Sequence, residues 1–213
     1  MVGHDDLATS ELLDPPLARA QPSAGYIQAY PPGVRENGGQ YSHAGVWALM
    51  ALAELIRKHP QLDTTGELAD TVYRYFTYLS PAHRAANPVY GPAYGIEPYV
   101  MAGDVYSQPP YVGRGGWSWY TGSASWMHRA AIESLFGLSI QADKLSFMPC
   151  LPTHWPTAEL TLKRDGHMLR FILSRAPELV QGTHLLLQPG QQLDWKAAAE
   201  HAVYVVPVAT TAA

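Results

Sequence analysis

Two stretches of the chain have apolar residues at helical spacing with almost no polar face. The first runs from His43 to about Lys58, where apolar side chains cover most of the circumference and Glu54 is the exception. A helix that is apolar all round packs among other elements. Ser42 is a candidate N-cap for this helix, and His59-Pro60 ends it. The other is predicted from about Gly122 to Phe136, with Gly137 at the expected C-terminal position.

An amphipathic helix is predicted between these two, from about Gly66 to Leu79, where Ser80-Pro81 stops it. The segments Asn87–Gly95 and Gln108–Tyr120 are rich in Pro and Gly and are predicted to be loops. Between them, Glu97–Ser107 is expected to form a short helix that starts with Pro98 at its first position.

After about Ile140 the pattern changes to short segments rich in β-branched and aliphatic residues, separated by Pro, Gly and Asp. Several of them alternate apolar and polar residues, which predicts antiparallel strands. Arg164–Gly166 is a good hairpin turn. The predicted strands lie in KLSFMPCLP, AELTLKR, HMLRFILS, THLLLQP and HAVYVVPV.

Composition narrows the class of protein. The 213 residues are 47% hydrophobic and 15% charged, with a net charge of −4, so the chain can build a core and lacks a nucleic-acid surface. Cys150 is the single cysteine, which excludes an internal disulfide and a thiolate metal cluster. The N-terminus is polar and acidic, unlike a signal peptide. The longest apolar run, Ala44–Ala53, is too short to span a bilayer, so we expect a soluble chain.

The stretch RENGGQYSH, Arg35 to His43, combines polar side chains with two glycines directly before the first helix. Arg35, Glu36, Asn37 and Gln40 carry groups suited to sugar hydroxyls or anions. His43 lies in the first turn, where free N–H groups and the helix dipole favour an anion. The alternative is a Gly-rich turn with a capping serine and a histidine bonded within the protein.

The stretch GRGGWSWYTGSASW, Gly113 to Trp126, repeats this design with Thr121-Gly122 at the start of a helix. Two such helix N-termini predict one shared anion site, and Trp117, Trp119 and Tyr120 could form flat walls for sugar rings. The alternative is two ordinary caps and core tryptophans. For Trp47 and Trp126, which lie on apolar helices, we favour the core.

Glu97 and Asp104 are seven residues apart and would share a face of the predicted short helix. Paired carboxylates suggest glycoside hydrolysis, although either residue could instead cap a helix or pair with Arg114. Four histidines have no metal-ligand spacing, and we expect them to be surface or structural residues and no metal to bind: His83, His128, His154 and His167.

Three long blocks, at Tyr30–Leu55, Glu97–Leu138 and Pro149–Pro156, resemble the C-terminal part of the family that contains cyclic β-1,2-glucan synthases and cellobiose and chitobiose phosphorylases (glycoside hydrolase family 94, formerly glycosyltransferase family 36). The resemblance implies a mainly α chain with a β tail. Residues 1–24 would be an irregular lead-in, 25–140 the C-terminal portion of an (α/α)6 barrel, and 141–213 part of an antiparallel β-sandwich.

By the same resemblance, the activity would be inverting phosphorolysis of β-linked glucans, with inorganic phosphate as co-substrate and no other cofactor. His43, Thr121 and Gly122 would bind phosphate, and the substrate contacts would include Arg35, Glu36 and Gln108. We add Trp117 and Tyr120 to the substrate-binding set as loop aromatics. The expected ligands are a β-glucan or oligosaccharide and phosphate or glucose 1-phosphate.

The family's general-acid aspartate lies in a motif that the chain lacks, so the resemblance implies that no catalytic acid is present here. The chain would then be a fragment that carries one wall of an active site. Its partner would be the missing N-terminal part of the enzyme or a second copy. Alternatives are a non-catalytic carbohydrate-binding module and an independent hydrolase or lyase that uses Glu97 or Asp104. We expect a cytoplasmic chain, whereas a full-length synthase would attach to the bacterial inner membrane.

Overall fold

The computed structural model describes residues 11–198 and 200–209. Residues 11–24 form no helix or strand, and the rest of the predicted lead-in lies outside the described residues. The chain divides into two compact units, one from Met1–Leu49 and Arg74–His128, the other from Met50–Tyr73 and Arg129–Ala213. The predicted boundary between barrel and sandwich near residue 140 stays a prediction.

The three helices predicted from apolar periodicity are present. They are α2 (Ser42–Lys58), α3 (Glu67–Leu79) and α6 (Thr121–Arg129). Helix α6 continues as a π-helical stretch, Ala130–Leu135, and Gly137 follows with a φ of 73°. A Cβ at Gly137 would lie 1.9 Å from the carbonyl oxygen of Met148, so both the left-handed backbone and this contact require glycine.

The first unit also contains short helices that are not predicted from the sequence: α1 (Tyr26–Ala29), α4 (Pro81–Ala86) and α5 (Gly91–Tyr94). Helix α4 begins directly after α3, with Pro81 in its first turn and the Ser80 hydroxyl accepting a hydrogen bond from the His83 N–H. Helix α5 lies within residues 87–95, so the predicted loop contains one turn of helix.

The prediction of a helix over Glu97–Ser107 is wrong. Asp104–Val105 is instead a short strand, β2, and it lies between β1 (Gln40–Tyr41) and β3 (Gly115–Gly116), antiparallel to both. Both β2 residues are buried. Pairing with segments distant in sequence therefore overrides the local helix signal of Pro98.

The second unit contains the predicted strands. One sheet has the order β4 (Leu138–Gln141), β5 (Lys144–Phe147) and β9 (Leu193–Asp194). A second sheet has the order β6, β7, β10, β8, with these bounds: β6 Thr157–Arg164, β7 His167–Ser174, β10 Val203–Pro207 and β8 Leu185–Leu186.

Strand direction in the second sheet departs in part from the prediction. Strands β6 and β7 form the expected hairpin, in which Asp165 and Gly166 have φ of 51° and 82°, the signs of a type I′ turn. Strand β10, however, runs parallel to both β7 and β8. The expectation of only antiparallel strands is therefore wrong, because β10 enters the sheet after a long connection rather than through a tight turn.

Each unit has apolar residues of its own at its centre. In the second unit, Phe147, Phe171 and Tyr204 form a run of aromatic contacts within a cluster that also includes Trp195. In the first unit, Tyr94 packs with Ala102 and Val105. The fold class is thus mixed helix and sheet. Within the described residues, no helix is both long enough and apolar enough to cross a bilayer.

Candidate functional site

The N-termini of helices α2 and α6 meet in the first unit. His43 is the second residue of α2, and Gly122 is the second residue of α6. A Cβ on Gly122 would lie 3.6 Å from His43 Cε1 and 4.0 Å from His43 Nδ1. The structure therefore brings together residues that the sequence predicts at one anion site, with Thr121 adjacent to Gly122 and exposed.

Both helix ends supply polar groups at this junction. The first N–H groups of an α-helix have no partner within the helix, and they carry the positive end of its dipole. At the start of α2, the Ser42 N–H donates to the Gly103 carbonyl at 3.0 Å. Nε2 of His43 is buried and forms no hydrogen bond within the described part of the chain.

Aromatic rings surround His43. Their centroids lie 5.0 Å (Trp47), 6.3 Å (Tyr120) and 6.3 Å (Trp126) from that of the imidazole. Trp47 also contacts Trp126 edge to face at 5.6 Å. Trp47 is 53% exposed, so the prediction that it is a core residue is wrong. It lies one helical turn after His43, on the face of α2 that borders the site.

A cage of aromatic rings holds the guanidinium of Arg35. The Cζ atom lies between 5.3 and 5.9 Å from four ring centroids, those of Tyr30, Tyr41, Trp117 and Tyr120. Nε and Nη1 are buried without a hydrogen-bond partner among the described residues. Burial lowers the pKa of the guanidinium, but the negative potential of Tyr120 and Asp104 outweighs it and raises the pKa above its usual value.

Two tyrosines of this cage are linked to each other. The hydroxyl groups of Tyr41 and Tyr120 lie 2.8 Å apart. Burial, together with this hydrogen bond, raises the pKa of Tyr41 to about 12. Tyr41 therefore stays a neutral hydrogen-bonding group beside the Arg35 cation, and Tyr120 contacts His43 as well.

Asp104 lies beneath Arg35 and is only 1% exposed. Its Oδ2 accepts a hydrogen bond from the Arg35 backbone N–H at 2.6 Å, whereas Oδ1 is buried without a partner in the described structure. Burial raises the pKa of Asp104 to about 6, against the opposing effect of Arg35. Glu97 is exposed in a turn, so the proposed pair of carboxylates on one helix face does not exist.

Glu36 and Gln108 flank the same loop. The Glu36 Oε2 atom lies 4.0 Å from Arg35 Nε, and it is buried without a hydrogen bond to a described residue. Gln108 is half-buried and packs closely on Gly33, where a Cβ would lie 2.5 Å from its Cγ. The Ser107 hydroxyl donates to the Gly38 carbonyl at 2.6 Å, which fixes the Gln108 segment beside the loop of Arg35.

Asn37 and Gln40 are internal structural residues, contrary to the expectation that they offer amides to a sugar. Both are fully buried. Asn37 accepts from the Leu17 N–H and donates to the Tyr30 carbonyl. Gln40 donates to the Tyr78 carbonyl and accepts from Arg84. The sequence gives their polarity but not the side of the loop on which each side chain lies.

Trp117 and Trp119 are exposed by 74% and 64%, and both have a left-handed backbone with φ of 58° and 60°. Such a conformation costs an L-residue roughly 1–2 kcal/mol. Trp119 also contacts Tyr99 at 6.4 Å. Large apolar side chains that are exposed on a strained backbone are typical of binding surfaces.

The described residues contain no group of three or more His, Cys, Asp or Glu that could hold a metal ion. His83 is bonded to the Ser80 hydroxyl at 2.8 Å, and His154 packs against Tyr73, as structural histidines do. Cys150 is buried, and its burial raises the pKa of the thiol to about 12, so it is not a nucleophile.

Comparison with known proteins gives consistent matches. Residues 6–137 match the family described as the glycosyl hydrolase 94 superfamily, catalytic domain. The chain is 42% identical over 164 residues to the cyclic β-(1,2)-glucan synthase NdvB of Rhizobium meliloti, covering 77% of this chain and 5% of the relative. It is 30% identical over 154 residues to a solabiose phosphorylase of Paenibacillus borealis, covering 71% of this chain and 18% of that relative.

A third relative is an N,N'-diacetylchitobiose phosphorylase of Vibrio furnissii, 26% identical over 180 residues, which span 84% of this chain and 21% of the relative. The chain therefore corresponds to between about a twentieth and a fifth of the length of these three relatives.

Proposed function

Because the chain belongs to the glycosyl hydrolase 94 superfamily, whose relatives here are a glucan synthase and glycoside phosphorylases, we propose that it is a carbohydrate-active part of such an enzyme acting on β-linked glucans. In this proposal residues 25–140 belong to an (α/α)6 barrel and residues 141–213 to a β-sandwich. The apolar helical pattern of α2 and the series of strands that begins at Leu138 support this division.

The proposed reaction is inverting phosphorolysis, in which inorganic phosphate attacks the anomeric carbon of a β-glycoside. The observation that supports a phosphate site is the 3.6 Å approach of the Gly122 position to the imidazole of His43. Two helix N-termini and an imidazole then face one small volume, and a tetrahedral oxyanion matches these donors. His43, Thr121 and Gly122 would hold the phosphate and need no metal ion.

The sugar would lie beside the phosphate, against the aromatic cage of Arg35. Arg35 and Glu36 offer a cation and a carboxylate for hydroxyl groups, and Gln108 offers an amide. Trp117 and Tyr120 offer ring faces on which a pyranose can stack. Tyr120 contacts both His43 and Arg35, so the proposed phosphate and sugar subsites share a wall.

The proton donor for the leaving oxygen would come from outside these 213 residues. A general acid must lie within hydrogen-bond reach of the oxygen that it protonates. Asp104 is buried and bonded to the Arg35 backbone, and Glu97 lies on an exposed turn, so neither suits this role. The remainder of an enzyme would then supply the acid and complete the site.

Phosphate titration tests the site directly. We expect the chain to bind inorganic phosphate, measured by ³¹P NMR line broadening and by calorimetry, and His43→Ala to weaken binding at least about tenfold. His128→Ala is the matched control, because His128 lies exposed on α6 and should leave the affinity unchanged. Equal affinities for the wild type and His43→Ala would refute the phosphate site.

An activity assay tests whether the chain lacks the general acid. With a β-1,2-glucooligosaccharide and phosphate, the 213-residue chain alone should release no glucose 1-phosphate above the uncatalysed background. Loss of a general acid typically lowers the rate by about 10²–10⁴-fold, and an incomplete site lowers it further. Release at a normal enzymatic rate would show that this chain carries its own acid.

A non-catalytic carbohydrate-binding module is the second candidate, favoured by the exposed Trp117 and Trp119. Calorimetry separates the two functions. A module would bind a β-1,2-glucooligosaccharide with the same affinity in the presence and absence of phosphate. His43→Ala would not change that affinity. A phosphorolytic site would show coupled binding of the sugar and phosphate.

A further inference from the structure

The conformation of Arg35 is unfavourable by itself, so contacts from outside its own loop must stabilise it. Its φ is 54°, in the left-handed region, and its guanidinium is largely buried with two N–H-bearing nitrogens unbonded within the described structure. Neither feature is favourable for an arginine. The aromatic cage compensates the charge through cation–π contacts, but rings do not determine which way the backbone turns.

Asp104 makes the contact that fixes this backbone. Its Oδ2 accepts the Arg35 N–H at 2.6 Å, across 69 residues of sequence. Asp104 is itself held rigidly, because it pairs with Tyr41 of β1 and with Gly116 of β3. A carboxylate in the middle strand of a small sheet therefore anchors the loop that carries Arg35.

We propose that Asp104 is the positioning residue for Arg35: its carboxylate holds the Arg35 backbone in the left-handed conformation and keeps the guanidinium within the aromatic cage, at the sugar-facing side of the site. The sugar as ligand rests on the proposed function, whereas the link between Asp104 and Arg35 does not.

Glycines adjoin both side chains. A Cβ at Gly116 would lie 2.7 Å from Asp104 Oδ1 and 2.5 Å from a ring carbon of Tyr106. A Cβ at Gly103 would lie 2.9 Å from Arg35 Nη1. The carboxylate and the guanidinium therefore each lie against bare backbone, so neither can move far without a steric clash.

The ionised form of Asp104 is the form that positions Arg35 best. A carboxylate accepts the backbone N–H more strongly than a neutral acid does, and it attracts the guanidinium. The charged and titratable groups around it are Arg35 and Glu36 from the loop, Tyr41 from β1, and Tyr106 beside Gly116. Because burial raises the pKa of Asp104 to about 6, protonation occurs around pH 6 and loosens Arg35.

The first test observes Arg35 without any ligand. In ¹H–¹⁵N NMR, the Nε–Hε signal of Arg35, assigned by its loss in Arg35→Lys, should be displaced by the ring currents of the cage. We expect Asp104→Ala to return it to the position of an exposed arginine, while Glu97→Gln, a change of an exposed carboxylate, leaves it unmoved. An unchanged signal in Asp104→Ala, with the wild-type circular dichroism retained, would overturn the proposal.

Asp104→Asn serves as a second variant if Asp104→Ala does not fold. Its amide oxygen still accepts the Arg35 N–H but carries no charge, so the signal should take the position that the wild type shows at low pH, and its dependence on pH around 6 should vanish. If the wild-type signal already shows no change between pH 5 and 7.5, or if Asp104→Asn shows the same change as wild type, Asp104 does not position Arg35 through its charge.

The second test uses a β-1,2-glucooligosaccharide as the probe in calorimetry. Asp104→Ala and Arg35→Ala should each weaken binding about tenfold, and the double variant should be no weaker than either, because the two residues act as one unit. Additive losses would overturn the positioning role. If the wild type binds no oligosaccharide, the proposed function fails, and the NMR test alone then decides the role of Asp104.

Discussion

Replacement of Asp104 by Asn should stabilise the protein at neutral pH and not in acid. The carboxylate is 1% exposed and one of its oxygens has no hydrogen-bond partner among the described residues. Asn keeps an oxygen that can accept the Arg35 N–H, and it removes the buried negative charge. The substitution therefore isolates the free-energy cost of ionising this side chain inside the fold.

The magnitude follows from the shift in pKa. Burial raises the pKa of Asp104 from 3.8 to about 6, a shift of about two units, and each unit corresponds to about 1.4 kcal/mol. Folding thus favours the protonated acid. The associated stability is fully present below pH 3.8 and is lost as the pH rises to about 6. Above that pH the ionised form costs about 3 kcal/mol relative to the neutral form.

Urea unfolding followed by circular dichroism at several values between pH 3.5 and 7.5 measures this effect. The free energy of unfolding of Asp104→Asn minus that of the wild type should rise by about 3 kcal/mol across the range. Asp165→Asn is the control, because Asp165 lies in an exposed hairpin turn and its difference should stay within about 0.5 kcal/mol. A difference for Asp104→Asn that does not depend on pH would refute the assignment of a buried, weakly acidic carboxyl group.

Three further predictions concern single positions. Gly122→Val should leave the melting temperature within a few degrees of wild type, because a Cβ there meets only ordinary contacts. In calorimetry it should reduce phosphate affinity at least about tenfold, because the new side chain fills the space beside His43. Unchanged affinity would place phosphate elsewhere. Gly137→Ala should lower the free energy of unfolding by more than about 2 kcal/mol in urea, because the new Cβ would overlap the Met148 carbonyl, and a neutral effect would contradict this packing. Cys150 should not react with a thiol reagent at pH 8 until the protein is unfolded in urea, because the native thiol is buried with a pKa near 12; rapid native labelling would contradict its burial.

The longer helices and the β6–β7 hairpin were predictable from the sequence because their signals are local. The apolar positions of α2 recur at a helical period, Gly137 marks the end of the last helix, and the Asp165-Gly166 turn permits one short hairpin geometry. The loops that precede α2 and α6 are both polar and rich in glycine. This similarity is the reason that the sequence predicts a shared anion site.

Other features depend on residues far apart in the chain. Asp104 becomes a strand residue only because β1 and β3 lie on either side of it, and β10 becomes a parallel strand through its neighbours β7 and β8. The side of a loop that a polar residue faces is equally non-local. Asn37 is therefore a buried structural residue, whereas its neighbours Arg35 and Glu36 line the candidate site.

Local signals predict the periodic elements, the lack of an internal disulfide and the residue types available for binding, because each depends on a few neighbouring positions or on composition. Three features arise only when the chain folds: Gly122 lies against His43, four rings enclose Arg35, and Asp104 is buried. They depend on packing between remote residues, which also raises the pKa of Asp104 and leaves Trp47 exposed.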